Sequence, residues 1–409
     1  ASISDPIMQP SSNPVSDSLP NNSNRSYRLW LFCICAGMLV YFTQVTALFP
    51  VLPLYVTQRW HNAPVGFVVG ALAAGLLFFR PPIGWLIDRW GRKPVLLTGL
   101  GIMLAILPLY LWSPNPFWLM GVRVLHGISQ AAFATASQTM LIDLVPPVRR
   151  TAMLGYLAMC NTIGYSLGPL LGSLVFAQAG FIAVVFLLAG SILVSFALSL
   201  PLPWLKVSRS KQSIEKQSEN SFPWKVIVRF PVRDATLLFS IGSFLHGGVV
   251  TFLPLFVSNS ALFYSLNALV AVLVRFGLGR WGNRVSQRWV VSIAIFCSGT
   301  ALIGLSIAPN LLIVWSLVYG LGFGSLFPVL SAIVSLAAPT AVRGRVYSIF
   351  LAGFDSGMTL GGAGVQPLVQ MLPLSTLFLI LGGIGWAVSL IAFRQFAQPI
   401  VVSQATEGK

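Results

Sequence analysis

The amino-acid sequence predicts an all-α membrane protein with twelve transmembrane helices in two pseudo-symmetric six-helix bundles. Three observations carry that reading. Of 409 residues, 56% are hydrophobic and only 8% charged, against about one quarter charged in a soluble domain. Apolar stretches recur from Leu29 to Phe393, each long enough for a hydrocarbon core of roughly 30 Å, which takes about 20 helical residues to cross. Short fragments of the first half return, in order, in the second.

Residues 1–24 are rich in Ser, Asn and Pro without apolar periodicity and read as a disordered tail. The first apolar run, Leu29 to Val56, is too long for a signal-peptide core and lacks a small-residue cleavage site, so it stays as helix 1. The next spans are Val65 to Ile87, Pro94 to Trp112, Phe117 to Leu144, Ala152 to Ala177 and Phe181 to Leu205. Together they make an N-terminal bundle over 25–205. The polar, basic stretch 206–233, with Lys211, Glu215, Lys216 and Glu219, is a cytoplasmic linker rather than a domain with its own core. Six more spans follow: Ala235 to Val257, Ala261 to Trp281, Trp289 to Ala308, Leu311 to Ala338, Val346 to Leu372 and Thr376 to Phe393. They form a C-terminal bundle over 234–396, and 397–409 is a tail. Helices are required because a backbone facing lipid must satisfy its own hydrogen bonds.

The net charge of +16 does not indicate nucleic acid, because the charges lie in short loops. Arg89, Arg92, Lys93, Arg149, Arg150, Arg280, Arg284, Arg288, Arg343 and Arg345 fall on one side, joined by Arg25, Arg28 and Arg394. The other side has Arg59 alone. An excess of arginine and lysine marks the cytoplasmic side, which puts both termini in the cytoplasm of a multi-pass inner-membrane protein. Trp30, Trp60, Trp112 and Trp118 near span ends read as interfacial anchors. Cys33, Cys35, Cys160 and Cys297 lack metal-ligand spacing and read as small core residues. Without a nucleotide loop, a nucleophile constellation or a cofactor motif, the sequence does not read as an enzyme.

The recurring fragments are Leu52-Pro53-Leu54-Tyr55-Val56 with Leu253-Pro254-Leu255-Phe256-Val257, Arg89-Trp90-Gly91 with Arg280-Trp281-Gly282, and Val148-Arg149 with Val342-Arg343. The last offset also aligns Asn161 with Asp355 and Gly168 with Gly362. Duplicated halves place a transporter's site at their interface.

Gly84-Trp85-Leu86-Ile87-Asp88-Arg89-Trp90-Gly91-Arg92-Lys93 resembles the signature of the major facilitator superfamily between helices 2 and 3. Asp143, near the end of helix 4, is similar to the acid that completes its charge cluster. The resemblance implies a cytoplasmic latch that holds the halves together in the outward-open state. Gly84 would allow close helix approach, Gly91 a tight turn, and Asp88 an ion pair with Arg92. In the second copy Gly279 and Ala337 replace Asp88 and Asp143, a degenerate latch. Arg123-Val124-Leu125-His126-Gly127 resembles a second superfamily motif, whose arginine is linked to proton coupling; structural pairing is the other reading. Gly164-Tyr165-Ser166-Leu167-Gly168-Pro169-Leu170-Leu171-Gly172 resembles the motif of antiporter-type exporters, with Ser173 where a second glycine is common. A plain glycine-rich helix contact is its simpler explanation.

Ionisable residues within the spans are few: Arg80, Arg123, Arg275, Asp355, His126 and His246. Such residues face a partner or a water-filled path. In the superfamily, helix 2 neighbours helix 11 across the interface and helix 8 neighbours helix 5. Arg80 lies about 12 Å before Asp88 along its helix and Asp355 about 15 Å after Arg345, so an Arg80 to Asp355 ion pair is expected, with Arg275 and Asn161 as its counterpart. Asp355 as the proton carrier is the competing idea, compatible with pairing if transport separates the two. Three arginines against one aspartate disfavour a permanently cationic cargo and suit a neutral or anionic amphipathic one. Tyr41, Gln44, Thr46 and Thr251 can supply hydrogen bonds there. His246 and His126 read first as hydrogen-bonding core residues. The expected function is export of a small organic molecule by proton antiport, through alternating access, from a monomer in the lipid bilayer. Uptake, or a receptor or scaffold without transport, are the alternatives.

Overall fold

The computed structural model describes residues 25–205, 224–281, 286–339 and 343–395. The tail expectations for 1–24 and 397–409, and the linker over 206–223, lie outside the described residues.

The chain forms helices joined by very short connections: α1 (Arg25–Arg59), α2 (Val65–Trp90), α3 (Arg92–Leu111) and α4 (Pro116–Leu144). The run Pro147–Ser199 is divided at Gly180, whose φ of 74° no helix accommodates, into α5 (147–179) and α6 (181–199). There follow α7 (Val232–Phe256), α8 (Ser260–Trp281), α9 (Gln287–Ile307), α10 (Leu312–Ala337), α11 (Arg343–Thr359) and α12 (Leu374–Gln395). A π-helical turn, Leu360–Gly364, continues α11.

Local chemistry sets the ends. Gly91, at φ 94°, is the whole connection between α2 and α3, a conformation that costs a glycine little. Asn115 Oδ1 accepts from the Trp118 amide at 2.8 Å to cap α4, with Pro116 in the first turn where its missing N–H costs nothing. Prolines within α1, α2, α3, α7 and α10 are tolerated because neighbouring helices re-satisfy the freed carbonyls.

Among the described residues nine segments are long and apolar enough to cross a membrane. One of them, Ala152–Ser199, has 48 residues, about 72 Å of helix, and is the α5–α6 pair. Beyond these stand α4, with Arg123, His126, Ser129, Gln130 and Ser137 buried along its length, and α11, whose regular part has 17 residues. Rings such as Phe78, Phe117, Phe186 and Phe276 stand about 70% exposed on the outside. In water such a surface would aggregate; in lipid it is the favoured one.

Helix neighbours repeat under a shift of six: α1 packs on α5 and α7 on α11, α2 on α4 and α8 on α10, α3 on α4 and α9 on α10. Across the halves, α2 meets α11, α5 meets α8 and α1 meets α7, the neighbours the resemblance implies. One large hydrophobic core runs through α1 to α6 and continues into α7, α8 and α12 through Val249, Phe252, Phe263 and Phe378. A second core, around Phe239, Ile295, Leu330 and Phe350, belongs to the C-terminal half alone. It lies at the arginine-rich end of the bundle. The halves therefore share a core at the arginine-poor end and keep separate ones at the other.

Candidate functional site

The interface between the halves is closed at its arginine-poor end by backbone contact. The Gly66 amide donates to Gln366 Oε1 at 2.5 Å, and Gly66 and Gly70 of α2 lie against Gly362 and Ala363 of the π turn in α11. Side chains at either glycine would collide with that turn. Ser166 and Ser265 exchange hydrogen bonds from α5 to α8, each hydroxyl donating to the other's carbonyl at 3.1 and 2.7 Å. Phe49 of α1 meets Tyr264 of α8 edge-on. A π-helical turn leaves the ordinary hydrogen-bond ladder locally irregular and recurs at functional sites; here it forms one side of the closed seam between the halves.

Midway down, Arg80 and Asp355 join the halves as expected. Nε donates to Oδ2 at 3.0 Å and Nη2 to Oδ1 at 3.3 Å, a two-pronged charge-assisted contact with Asp355 almost fully buried. The counterpart needs correction. Arg275 donates to Thr162 Oγ1, and weakly to the Gly324 carbonyl at 3.5 Å; Asn161, the expected partner, is half-buried and is not bonded to it.

The reason lies in the helix register. In the first half Gly164, Gly168 and Gly172 rest on the Leu39, Thr43 and Ala47 carbonyls of α1; in the second Gly357 and Gly361 rest on those of Ser240 and Phe244 in α7. The rung Leu39–Gly164 thus corresponds to Ser240–Gly357, which places α11 193 residues after α5, one fewer than the 194 given by the Val-Arg fragments. Under that register Thr162 matches Asp355. The acid of one pair has a hydroxyl in its place in the other.

The antiporter-type motif is accordingly a close helix contact. Pro169 lies buried within it, and Thr46 Oγ1 donates to the Gly164 carbonyl at 3.2 Å and to that of Phe42 at 2.9 Å.

At the arginine-rich end the signature residues separate into different tasks. Arg92 pairs with Asp143, Nε to Oδ2 at 2.6 Å, and not with Asp88 as expected; Asp88 is exposed and has no ion pair among the described residues. Arg89 stacks over the Trp85 ring at 5.2 Å. Lys93 is buried and donates to the carbonyls of Leu200 and Leu202 at 2.7 Å each, closing the exit of α6. It holds a helix end, and its partners among the described residues all lie in the N-terminal half. Gly84, expected to admit a close helix, has open space where its Cβ would stand, as does Gly155 on α5.

Arg123 is 1% exposed. Its Nη1 lies 3.5 Å from Tyr110 Oη and 3.4 Å from His126 Nδ1, and these two are themselves 2.9 Å apart. Gln44 is fully buried with neither amide atom partnered among the described residues. Tyr41 stacks on Phe133 and bonds Ser129 Oγ at 2.9 Å, inside the N-terminal half and away from the interface. His246 bonds Tyr319 Oη at 3.2 Å and stacks on Phe323. Gln366, Thr162 and the Ser166–Ser265 exchange were not identified from sequence; only the 193-residue register would have singled out Thr162. Thr251 lies against Gly362 beside a cavity of about 20 Å³, room for one water molecule.

The family model described as Major Facilitator Superfamily matches residues 34–263 and 257–407. The chain is 23% identical over 374 residues to the staphylopine export protein of Staphylococcus aureus, covering 85% of this chain and 92% of the relative. It is 27% identical over 375 residues to the multidrug resistance protein MdtG of Citrobacter koseri, covering 84% and 88%. Among solved structures it is similar to the xylose transporter XylE from E. coli in its inward open conformation, with a TM-score of 0.72 at 15% identity over 90% of this chain and 96% of that one. The chain belongs to the Major Facilitator Superfamily, a family of non-enzymatic membrane transporters.

Proposed function

We propose that this protein is a secondary transporter that exports a small neutral or anionic amphipathic molecule by alternating access, coupled to proton antiport, as a monomer in the cell inner membrane. All twelve helices span, both termini are cytoplasmic, and the arginine-rich end is the inside. The observation that carries the reading is the asymmetry of the interface: backbone contact at the arginine-poor end, separate cores and an open Gly84 at the other. With the arginine-rich end inside, this is an inward-open state: Arg92 keeps Asp143 within the N-terminal half, while Gly84 and Asp88 of the signature stand free, as a latch for the opposite state should.

Export is supported by the relatives, which include an export protein and multidrug efflux pumps. Proton coupling is supported by Asp355, the one carboxylate among the described residues that lies midway along the interface and ties the halves together. Conformational change that parts it from Arg80 frees it to exchange a proton with the vestibule. Arg123, Arg275 and His246 complete the charged and titratable lining.

Inverted vesicles with an acid interior, loaded externally with a panel of fluorescent neutral and anionic amphipaths, test the proposal. Accumulation that collapses when the pH gradient is dissipated is expected. Accumulation only in right-side-out vesicles would mean uptake, and none in either would favour a receptor.

A further inference from the structure

The side chains around Arg123 are matched to a ligand that the protein itself does not supply. Four acidic side chains occur among the described residues: Asp88 is exposed at the arginine-rich end, Asp143 pairs with Arg92, Asp234 with Arg233, and Asp355 with Arg80. None compensates Arg123, whose guanidinium offers donors only. A buried charge without a counter-ion is strongly disfavoured unless other groups or a ligand offset it.

The hydrogen-bond roles sharpen the point. Arg123 can only donate, so His126 Nδ1, facing both Arg123 and the Tyr110 hydroxyl, is assigned as the acceptor. The ring proton then sits on Nε2, which is buried with no partner. Arg123 Nε is a second buried donor without an acceptor. Gln44 is a third source: three residues on from Tyr41, which is bonded to Ser129 of the antiparallel α4, it stands level with His126, three residues before Ser129. Both of its amide atoms are buried without a partner, and the nitrogen is the donor.

Arg123 also lines the small cavity under the closed gate, where the opposite wall is Gly247 and Thr251 of α7 and Met358 of α11. That wall belongs to the other half. When the gate opens it withdraws and Arg123 faces the widened space, with His126 one turn along α4 and Gln44 level with it on α1.

We propose that the cargo carries a carboxylate-class anionic group, and that Arg123, His126 Nε2 and the Gln44 amide form its subsite at the apex of the pathway. The inference rests on the transporter reading and names its substrate class. A carboxylate fits because it presents acceptors only and pairs with a guanidinium through parallel bonds.

The test uses purified full-length protein and three probes: 1-naphthoate, 1-naphthamide of the same shape, and sodium chloride. Binding is read from intrinsic tryptophan fluorescence and thermal shift. Naphthoate should bind roughly tenfold more tightly than naphthamide. Arg123→Gln should remove that preference, Arg123→Lys should keep part of it, and Gln44→Ala should reduce it while melting like the parent. An absent preference, whether both naphthyl probes bind or neither does, overturns the proposal. So does chloride displacing naphthoate at equal concentration, which would make the site one for a resident inorganic anion. Vesicle direction plays no part here, so failure of the export reading would be seen separately.

Discussion

At the residue scale, the Arg80 to Asp355 pair shows how few charges set the behaviour of this interface. Its bonds are charge-assisted and almost dry, so removing one partner strands the other, at a cost of about 3–5 kcal/mol where burial is complete. Arg80 remains 27% exposed, which lowers that cost by letting water reach the guanidinium. Asp355→Asn should therefore leave membrane insertion near parental levels while transport in vesicles falls at least about tenfold, on the scale of one lost charge-assisted bond. Normal transport by Asp355→Asn would reduce the pair to packing. Lys93 makes a contrasting prediction. Lys93→Met removes both donors from the Leu200 and Leu202 carbonyls and should lower stability by about 1–3 kcal/mol, read as a drop in melting temperature; an unchanged melt would show the end of α6 needs no such cap. The sequence places Lys93 in a cytoplasmic motif and the structure assigns it a different task, because which carbonyl a lysine reaches depends on a helix more than a hundred residues away.

At the element scale, the decisive feature is the contact between parallel helices α1 and α5, and α7 and α11, in steps of four residues. Four residues is close to one turn, so a row of small residues at that spacing lets two backbones touch along several turns. Gly168→Leu should force the helices apart and cost about 1–3 kcal/mol, visible as poor expression or a lower melting temperature. One rung below Leu39–Gly164 the same ladder brings Cys35 beside Cys160. A short bis-maleimide should therefore link these two cysteines within the monomer, as a cross-linked peptide in mass spectrometry. Linkage of Cys33 in their place would show that the register is wrong. The helical segments were legible in the sequence to within several residues at their ends, because apolar length and loop charge are local quantities; the Arg80–Asp355 pair also needed the helix neighbours that the family resemblance implies. The one-residue register between α5 and α11 was not legible, because fragments near helix starts fix the offset there, whereas the glycine rungs fix it where the helices touch. That single residue exchanges Asn161 for Thr162. The same limit applies to Asp88, because Arg92, four residues on, reaches Asp143 of α4 instead.

At the scale of the whole molecule, two halves share one core at the arginine-poor end and divide into two at the other. A fused core resists gradual deformation, so the interface favours discrete arrangements. In the opposite arrangement Gly84 and Asp88 would meet the C-terminal half while Gly66 parts from Gln366. Gln366→Ala, which removes the hydrogen bond to Gly66, should shift the population toward that second arrangement by a few-fold, the weight of one bond of about 1 kcal/mol. The measurement that tests alternation most directly is a pair of spin-label distances in liposomes on a cysteine-free background. One pair, His61 with Met371, spans the closed end, and the other, Trp90 with Leu336, spans the open end. Changing between acid and neutral buffer, or introducing Gln366→Ala, should lengthen the first distance as it shortens the second. Distances that rise and fall together, or that never respond at either end, would contradict it.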